Sequence, residues 1–187
     1  MSYRVLGLSS SARPLARTTA LLSHVLGGFP STFDTELIEV SSLNLPQYSP
    51  TGGYSESSSL SQYSTLIAEA DAILLASPVY QSSYSGVLKN ALDHIHDMPH
   101  TPVGLIGKTI GTIAVAEGSE YGRCLAHLQT VASAMGGTVV PTPLGTSAAS
   151  FEENVLRDPS VSTRAQILVR DIADRVRAQT TSKESAS

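Results

Sequence analysis

Tryptophan is missing from this 187-residue chain, cysteine occurs once, and charged residues make up only 15%. Each shortage excludes something. A lone cysteine, Cys124, rules out an internal disulfide, and no second cysteine exists to complete a CxxC redox or zinc motif. The 12 basic and 16 acidic residues leave a formal net charge of -4, so there is no broad basic field for nucleic acid. No apolar run reaches the length of about 20 residues that a membrane-spanning helix needs. Residues 3–8 run straight into polar ones, a poor match to a signal peptide. These absences set the expectation of a cytoplasmic protein with neither a nucleic-acid nor a membrane partner. The apolar fraction, 41%, is too high for a disordered chain, and the net charge is too small. The length suits one domain, taken as residues 1–180 with a disordered tail at 181–187. A thinly charged surface hints at self-association.

What is present is an alternation of short apolar runs and longer periodic ones. Residues 5–9, 35–40, 72–76, 109–116 and 138–140 read as strands. Residues 15–26, 60–70, 85–95, 120–135 and 161–178 carry helical spacing, and Gly27-Gly28 and Gly136-Gly137 stop two of these helices. Residues 41–59 are polar and contain Pro and Gly, the mark of a long surface loop. The run AILLA at 72–76 is apolar throughout, as a strand covered on both faces should be. Strict β-α alternation implies an α/β, doubly wound parallel sheet. Such sheets bind ligands outside the carboxyl ends of their strands, at the switch point of strand order. The loops after the first, third and fourth strands are therefore the candidates.

The first of these loops is SSSARPLARTT, residues 9–19. Its hydroxyls, the free N–H groups of a helix start, and Arg13 and Arg17 suit an anion. It lacks the glycines of G-x-G-x-x-G, so a terminal monophosphate fits better than a dinucleotide pyrophosphate. A plain helix cap followed by a solvated turn is the competing reading. The second loop is SPVYQSSYSG, residues 77–86. There Pro78 fixes a backbone angle, Tyr80 and Tyr84 offer flat rings, and Ser85-Gly86 opens a helix. The third is AVAEGSEYG, residues 114–122. In it Gly118 allows close backbone approach, Ser119 is placed to cap the next helix, and Glu117 sits at a strand end.

Together these segments resemble the NADPH-dependent FMN reductase family, which has a flavodoxin-like fold. The likeness covers most of residues 3–145. It is strongest over residues 77–93, where S-P-V-Y and a short spacer precede Y-S-G-x-L-K-N-A-L-D. It implies a flavodoxin-like five-stranded parallel sheet, order 2-1-3-4-5, with helices on both faces. It also implies FMN as cofactor and NADPH, or NADH, as hydride donor, with no metal. By this likeness Ser11, Arg13, Arg17 and Thr18 hold the FMN phosphate, with Ser9 in the same loop. Pro78, Val79 and Tyr80 lie along the isoalloxazine and ribityl chain, with Ser85 in the same segment. Gly118 and Ser119 approach the pyrimidine end beside Glu117, and their backbone N–H groups are the candidates for stabilising reduced-flavin charge. No acid/base side chain is assigned.

The implied reaction passes hydride from NADPH to FMN and onward to an acceptor. That acceptor is a small molecule such as free flavin, a quinone or an azo dye, and a flavin-using monooxygenase is a conceivable partner. Two departures bear on this. The family usually has Gly-Gly where this chain has Glu117-Gly118. A carboxylate facing the ring would repel an anionic reduced flavin; one pointing away would face a neighbouring subunit. No extra aromatic residue is inserted between Ser119 and Gly136, which favours a bound-flavin reductase over a supplier of diffusing flavin. The alternative is a flavodoxin-type FMN electron carrier that does not oxidise NADPH. Such carriers are usually strongly acidic, and -4 is mild. A flavin-free interaction protein is a third reading, with Glu117 its one hint. The family's dimers and tetramers imply a homodimer or homotetramer, with the helix after Ser85 at the contact.

Three features carry less. Gly104 to Thr109 imitates a Walker A loop, but Pro102 replaces its first glycine and the segment precedes a strand, leaving Lys108 as a polar lead-in. Asp93, His94, His96, Asp97 and His100 cluster at a helix end, where histidines complement the dipole and solvate the terminus better than they hold metal. Cys124 reads as a small core residue, and no G-x-S-x-G elbow supports a serine hydrolase.

Overall fold

The structure is a computed structural model that describes residues 2–51, 58–95 and 104–184. Strand β1 (Tyr3–Ser9) leads through helix α1 (Arg17–Leu26) to β2 (Phe33–Glu39). Helix α2 (Ser58–Glu69), β3 (Ala72–Pro78), α3 (Gly86–Ile95), β4 (Thr109–Ala116) and α4 (Gly122–Ala134) follow. Every pairing in the main sheet is parallel, and its order is β2-β1-β3-β4-β5, where β5 is Thr138–Val139. This is the expected order.

The alternation of side chains across the strands divides the interior into two cores. Leu6, Leu8, Ile73 and Leu75 pack toward Ile67 of α2, Leu92 of α3 and Leu128 of α4. Val5, Leu74 and Ile113 pack on the other face with Leu22 of α1 and Leu168 of the last helix, α5 (Pro159–Glu184). β3 and β4 are buried along almost their whole length, which explains the apolar runs at 72–76 and 113–116. Gly111 makes room for close contact on β4: a Cβ there would lie 2.5 Å from Leu74 and 2.7 Å from Ile172.

The structure adds elements that sequence periodicity passed over. Beyond β5, a second piece, β6 (Leu144–Ser147), also pairs with β4, setting Ile113 opposite Leu144. Pro141 and Pro143 separate the pieces, since a ring nitrogen has no hydrogen to donate to a ladder. A small antiparallel hairpin, β7 (Phe151–Glu152) and β8 (Val155–Leu156), precedes α5. Within the expected loop at 41–59, Val40–Leu43 winds into a 3₁₀ turn, and residues 52–57 lie outside the described part.

α5 is longer than its apolar stripe suggested. It starts at Pro159, just after Asp158, whose Oδ1 accepts from the Ser160 N–H at 2.9 Å. It continues to Glu184, into the segment expected to be a tail; residues 185–187 are not described.

Lys108 leads into β4 as expected, and it is buried: its Nζ donates to Ala68 O and Ala70 O at 2.6 and 2.7 Å. The ammonium thus satisfies carbonyls at the end of α2, a partner only tertiary structure supplies. Two readings of single residues need correction. His94 is not solvated. It is buried, with Nε2 2.9 Å from Pro46 O and its ring edge-on to Tyr48. His96, Asp97 and His100 lie outside the described residues, as does Pro102. Ser119 does not cap α4: the helix starts later, at Gly122, with Tyr121 at its cap position and no side-chain cap. Cys124 is fully buried, as expected, and burial pushes its thiol pKa up to about 11.

Candidate active site

The carboxyl ends of β1, β3 and β4 lie side by side, and a serine network ties their loops together. Ser10 donates to Ala76 O from both its N–H and its Oγ, each at 3.0 Å. Ser85 Oγ donates to Ser10 O at 3.0 Å and accepts from the Leu88 N–H at 3.2 Å. The one hydroxyl therefore caps α3 and fastens the second loop to the first. Ser77 Oγ accepts from the Ser85 N–H at 2.9 Å and donates to Pro78 O at 2.8 Å, closing the second loop on itself. Ser10, Ser77 and Ser85 are all buried. Ser85, expected among the cofactor contacts, has its hydroxyl engaged inside the protein. The partners of Ser10 and Ser77 are not legible in the sequence, because hydroxyl bonds to backbone groups leave no spacing there.

The first loop opens at the head of α1. Ala16 stands at the cap position, no side chain caps the turn, and no acidic residue occupies it. The helix start thus keeps its positive end open. Ser9 Oγ turns away to Thr19 Oγ1 at 2.8 Å, and Thr19 in turn donates to Glu39 at 3.3 Å. Ser11 Oγ accepts from the Arg13 N–H at 3.2 Å. The Arg13 side chain is exposed, and Thr18 is buried. Leu15 takes a positive φ of 53° and is 80% exposed, a strained posture for a branched apolar side chain.

The second loop holds a tight reversal that the sequence conceals. Tyr80 and Ser83 exchange backbone hydrogen bonds of 2.8 and 2.9 Å around Gln81 and Ser82. Both central residues have positive φ, 49° and 63°, the signature of a type I′ turn, which ordinarily selects Asn and Gly. Ser83 Oγ lies 3.0 Å from His127 Nδ1, so α4 braces the turn. Tyr80 is left 42% exposed at its tip. Its neighbour Val79 donates to Val115 O at 2.9 Å, which anchors the loop to β4.

The third loop exposes Glu117, Gly118 and Ser119. A Cβ on Gly118 would meet nothing within 4 Å, so the backbone there borders open space. Glu117 faces Arg17: Nη1 lies 3.3 Å from Oε1 and 3.5 Å from Oε2. Arg17 Nε is buried and has no acceptor. Three of the residues with positive φ, Leu15, Gln81 and Ser82, fall in the first two loops, so local strain gathers where the loops converge. Among the described residues no group of acidic, His or Cys side chains could hold a metal ion.

These loops have recognisable counterparts. The model of the NADPH-dependent FMN reductase family matches residues 3–150. An FMN-dependent NADPH-azoreductase of Staphylococcus saprophyticus is 35% identical over 150 residues, covering 76% of each chain. Among solved structures, the flavoenzyme NAD(P)H:(acceptor) oxidoreductase FerB of Paracoccus denitrificans superposes with a TM-score of 0.80 at 19% identity, covering 95% of this chain and 98% of its own. An NADH:FMN oxidoreductase in its apo form superposes with a TM-score of 0.72 at 22% identity, over 95% of this chain and 89% of its own. The two superpositions speak to the fold, while the family match spans all three loops. The chain belongs to the NADPH-dependent FMN reductase family and is an oxidoreductase.

Proposed function

We propose that this chain binds FMN across the three loops and uses NAD(P)H to reduce a small-molecule acceptor. The observation that carries this reading is the convergence of an uncapped helix start, a strained tyrosine loop and an open glycine edge at one end of the sheet. The donor set fits the cofactor. The part-exposed Arg17 guanidinium and the uncapped turn of α1 suit an anion, and the space at Gly118 suits a flat ring.

Ser11, Arg13, Arg17 and Thr18 would hold the phosphate, Thr18 through its backbone because its side chain is buried. Pro78, Val79 and Tyr80 would line the ribityl chain and ring, while Gly118 and Ser119 would border the pyrimidine end. Ser9 and Ser85 act by shaping the loops. When bound, FMN supplies the chemistry of accepting a hydride from NAD(P)H and handing the electron pair to an acceptor. The chain's contribution is to orient the ring through the braced Tyr80 turn and to present N–H groups near Gly118 to its polar edge. The staphylococcal relative's name points to azo compounds as one acceptor class, with quinones and free flavin as others. We place the activity in one domain over residues 1–180, in a cytoplasmic homodimer or homotetramer. Among the described residues, no helix is long and apolar enough to cross a membrane.

Titration by flavin fluorescence tests the phosphate assignment. Arg13→Ala should weaken FMN about tenfold, as expected for a charge-assisted hydrogen bond, and leave riboflavin unchanged. Equal losses for both flavins would remove Arg13 from the phosphate site.

A further inference from the structure

Arg17 and Glu117 form a side-chain bridge between the first loop and the third, across 100 positions of sequence. Arg17 opens α1, beside the uncapped turn. Its Nη1 reaches the carboxylate, while its Nε is buried with no acceptor. A buried guanidinium N–H without a partner is uncommon, and an incoming acceptor completes it only once the Arg17 side chain turns to expose it. Glu117 is 81% exposed, so its carboxylate supports no core packing. Its bond to Arg17 is an exposed ion pair, which is weak and cheaply exchanged.

We propose that Glu117 is an internal placeholder for the flavin phosphate: its carboxylate holds Arg17 while the loop is empty and yields it to the phosphate. Glu117 thereby sets how far the site prefers FMN over uncharged riboflavin. This rests on the flavin reading above. A phosphate monoester brings close to two negative charges and three acceptor oxygens, against one charge and two oxygens from the carboxylate. It can therefore complete the Arg17 fork and the open helix start together. A carboxylate left beside the bound phosphate repels it. Competition and repulsion act in the same direction, so neutralising Glu117 strengthens FMN binding. The effect is limited by the weakness of an exposed pair.

The test is a fluorescence titration of FMN and of riboflavin at low salt, against wild type, Glu117→Gln, Arg17→Ala and the double variant. Both positions are partly or largely exposed, so these variants keep the fold. Glu117→Gln should bind FMN about two- to fivefold tighter, the range an exposed ion pair supports, with riboflavin unchanged. The gain should shrink when Arg17→Ala is already present, and should fade at about 1 M salt. Weaker or unchanged FMN binding by Glu117→Gln, or an equal gain for riboflavin, overturns the placeholder. Those results leave the flavin reading standing so long as wild type binds FMN. If wild type binds no FMN, the flavin reading falls and the placeholder falls with it.

Discussion

Single residues at this site divide into those whose polar groups tie the loops together and those that border open space. Ser85 belongs to the first group. Ser85→Ala removes the donor to Ser10 O and the acceptor for Leu88 N, both buried, and should cost about 1–3 kcal/mol in urea unfolding. Gly118 belongs to the second. It has no positive φ and open space beside it, so Gly118→Val should leave the thermal midpoint in place while weakening FMN binding. A fall in stability equal to the loss of binding would mean the position is structural. Cys124 titrates as a core group. Its folded pKa is raised to about 11 by burial, so the protonated thiol is favoured on folding. The matching stability is full below the unfolded pKa of about 8.5 and is lost as pH rises through the folded value. Cys124→Ala, measured across that range by chemical denaturation, should flatten this part of the alkaline decline.

Among the elements, what was readable in the sequence depended on whether the signal was local. TIGTIAVA marked β4 because both its faces are covered, which leaves a segment with no charge and only two hydroxyls. The Tyr80 to Ser83 turn left no such mark, since Gln81 and Ser82 hold positive φ where Asn and Gly are the usual residues. Ser82→Gly should relieve part of that strain and stabilise the protein by about 0.5–1 kcal/mol, less than the full strain because glycine gains unfolded-chain entropy. No change in the urea midpoint would argue that His127 and the surrounding loop already relax the turn. The early start of α5 is the work of Asp158, and the hydrogen bonds from Ser160 hold its carboxyl below the ordinary range. Stability from this cap is present above the usual carboxylate pKa and is lost as pH falls through the lowered one. Asp158→Ala should therefore melt earlier than wild type near neutrality and converge with it in acid.

For the molecule as a whole, the apolar pattern foretold a parallel sheet between two helical layers, and residues 77–93 pointed to the family. Ser10, Ser77 and Ser85 put uncharged hydroxyls to use inside the molecule, where they fasten strand ends together. The ion pair between Arg17 and Glu117 could not be read, because its partners meet only once β3 lies between their strands. The fold also depends on close approach at Gly111: Gly111→Val would press on Leu74 and Ile172 and should cost about 1–3 kcal/mol. All of this supports a reductase that must take electrons from a nicotinamide donor. Anaerobic addition of NADPH, or of NADH, to the FMN-loaded protein should bleach the flavin absorbance band, and an azo or quinone acceptor should restore it. A flavin band that neither nucleotide bleaches would contradict the reductase and leave an electron carrier in its place.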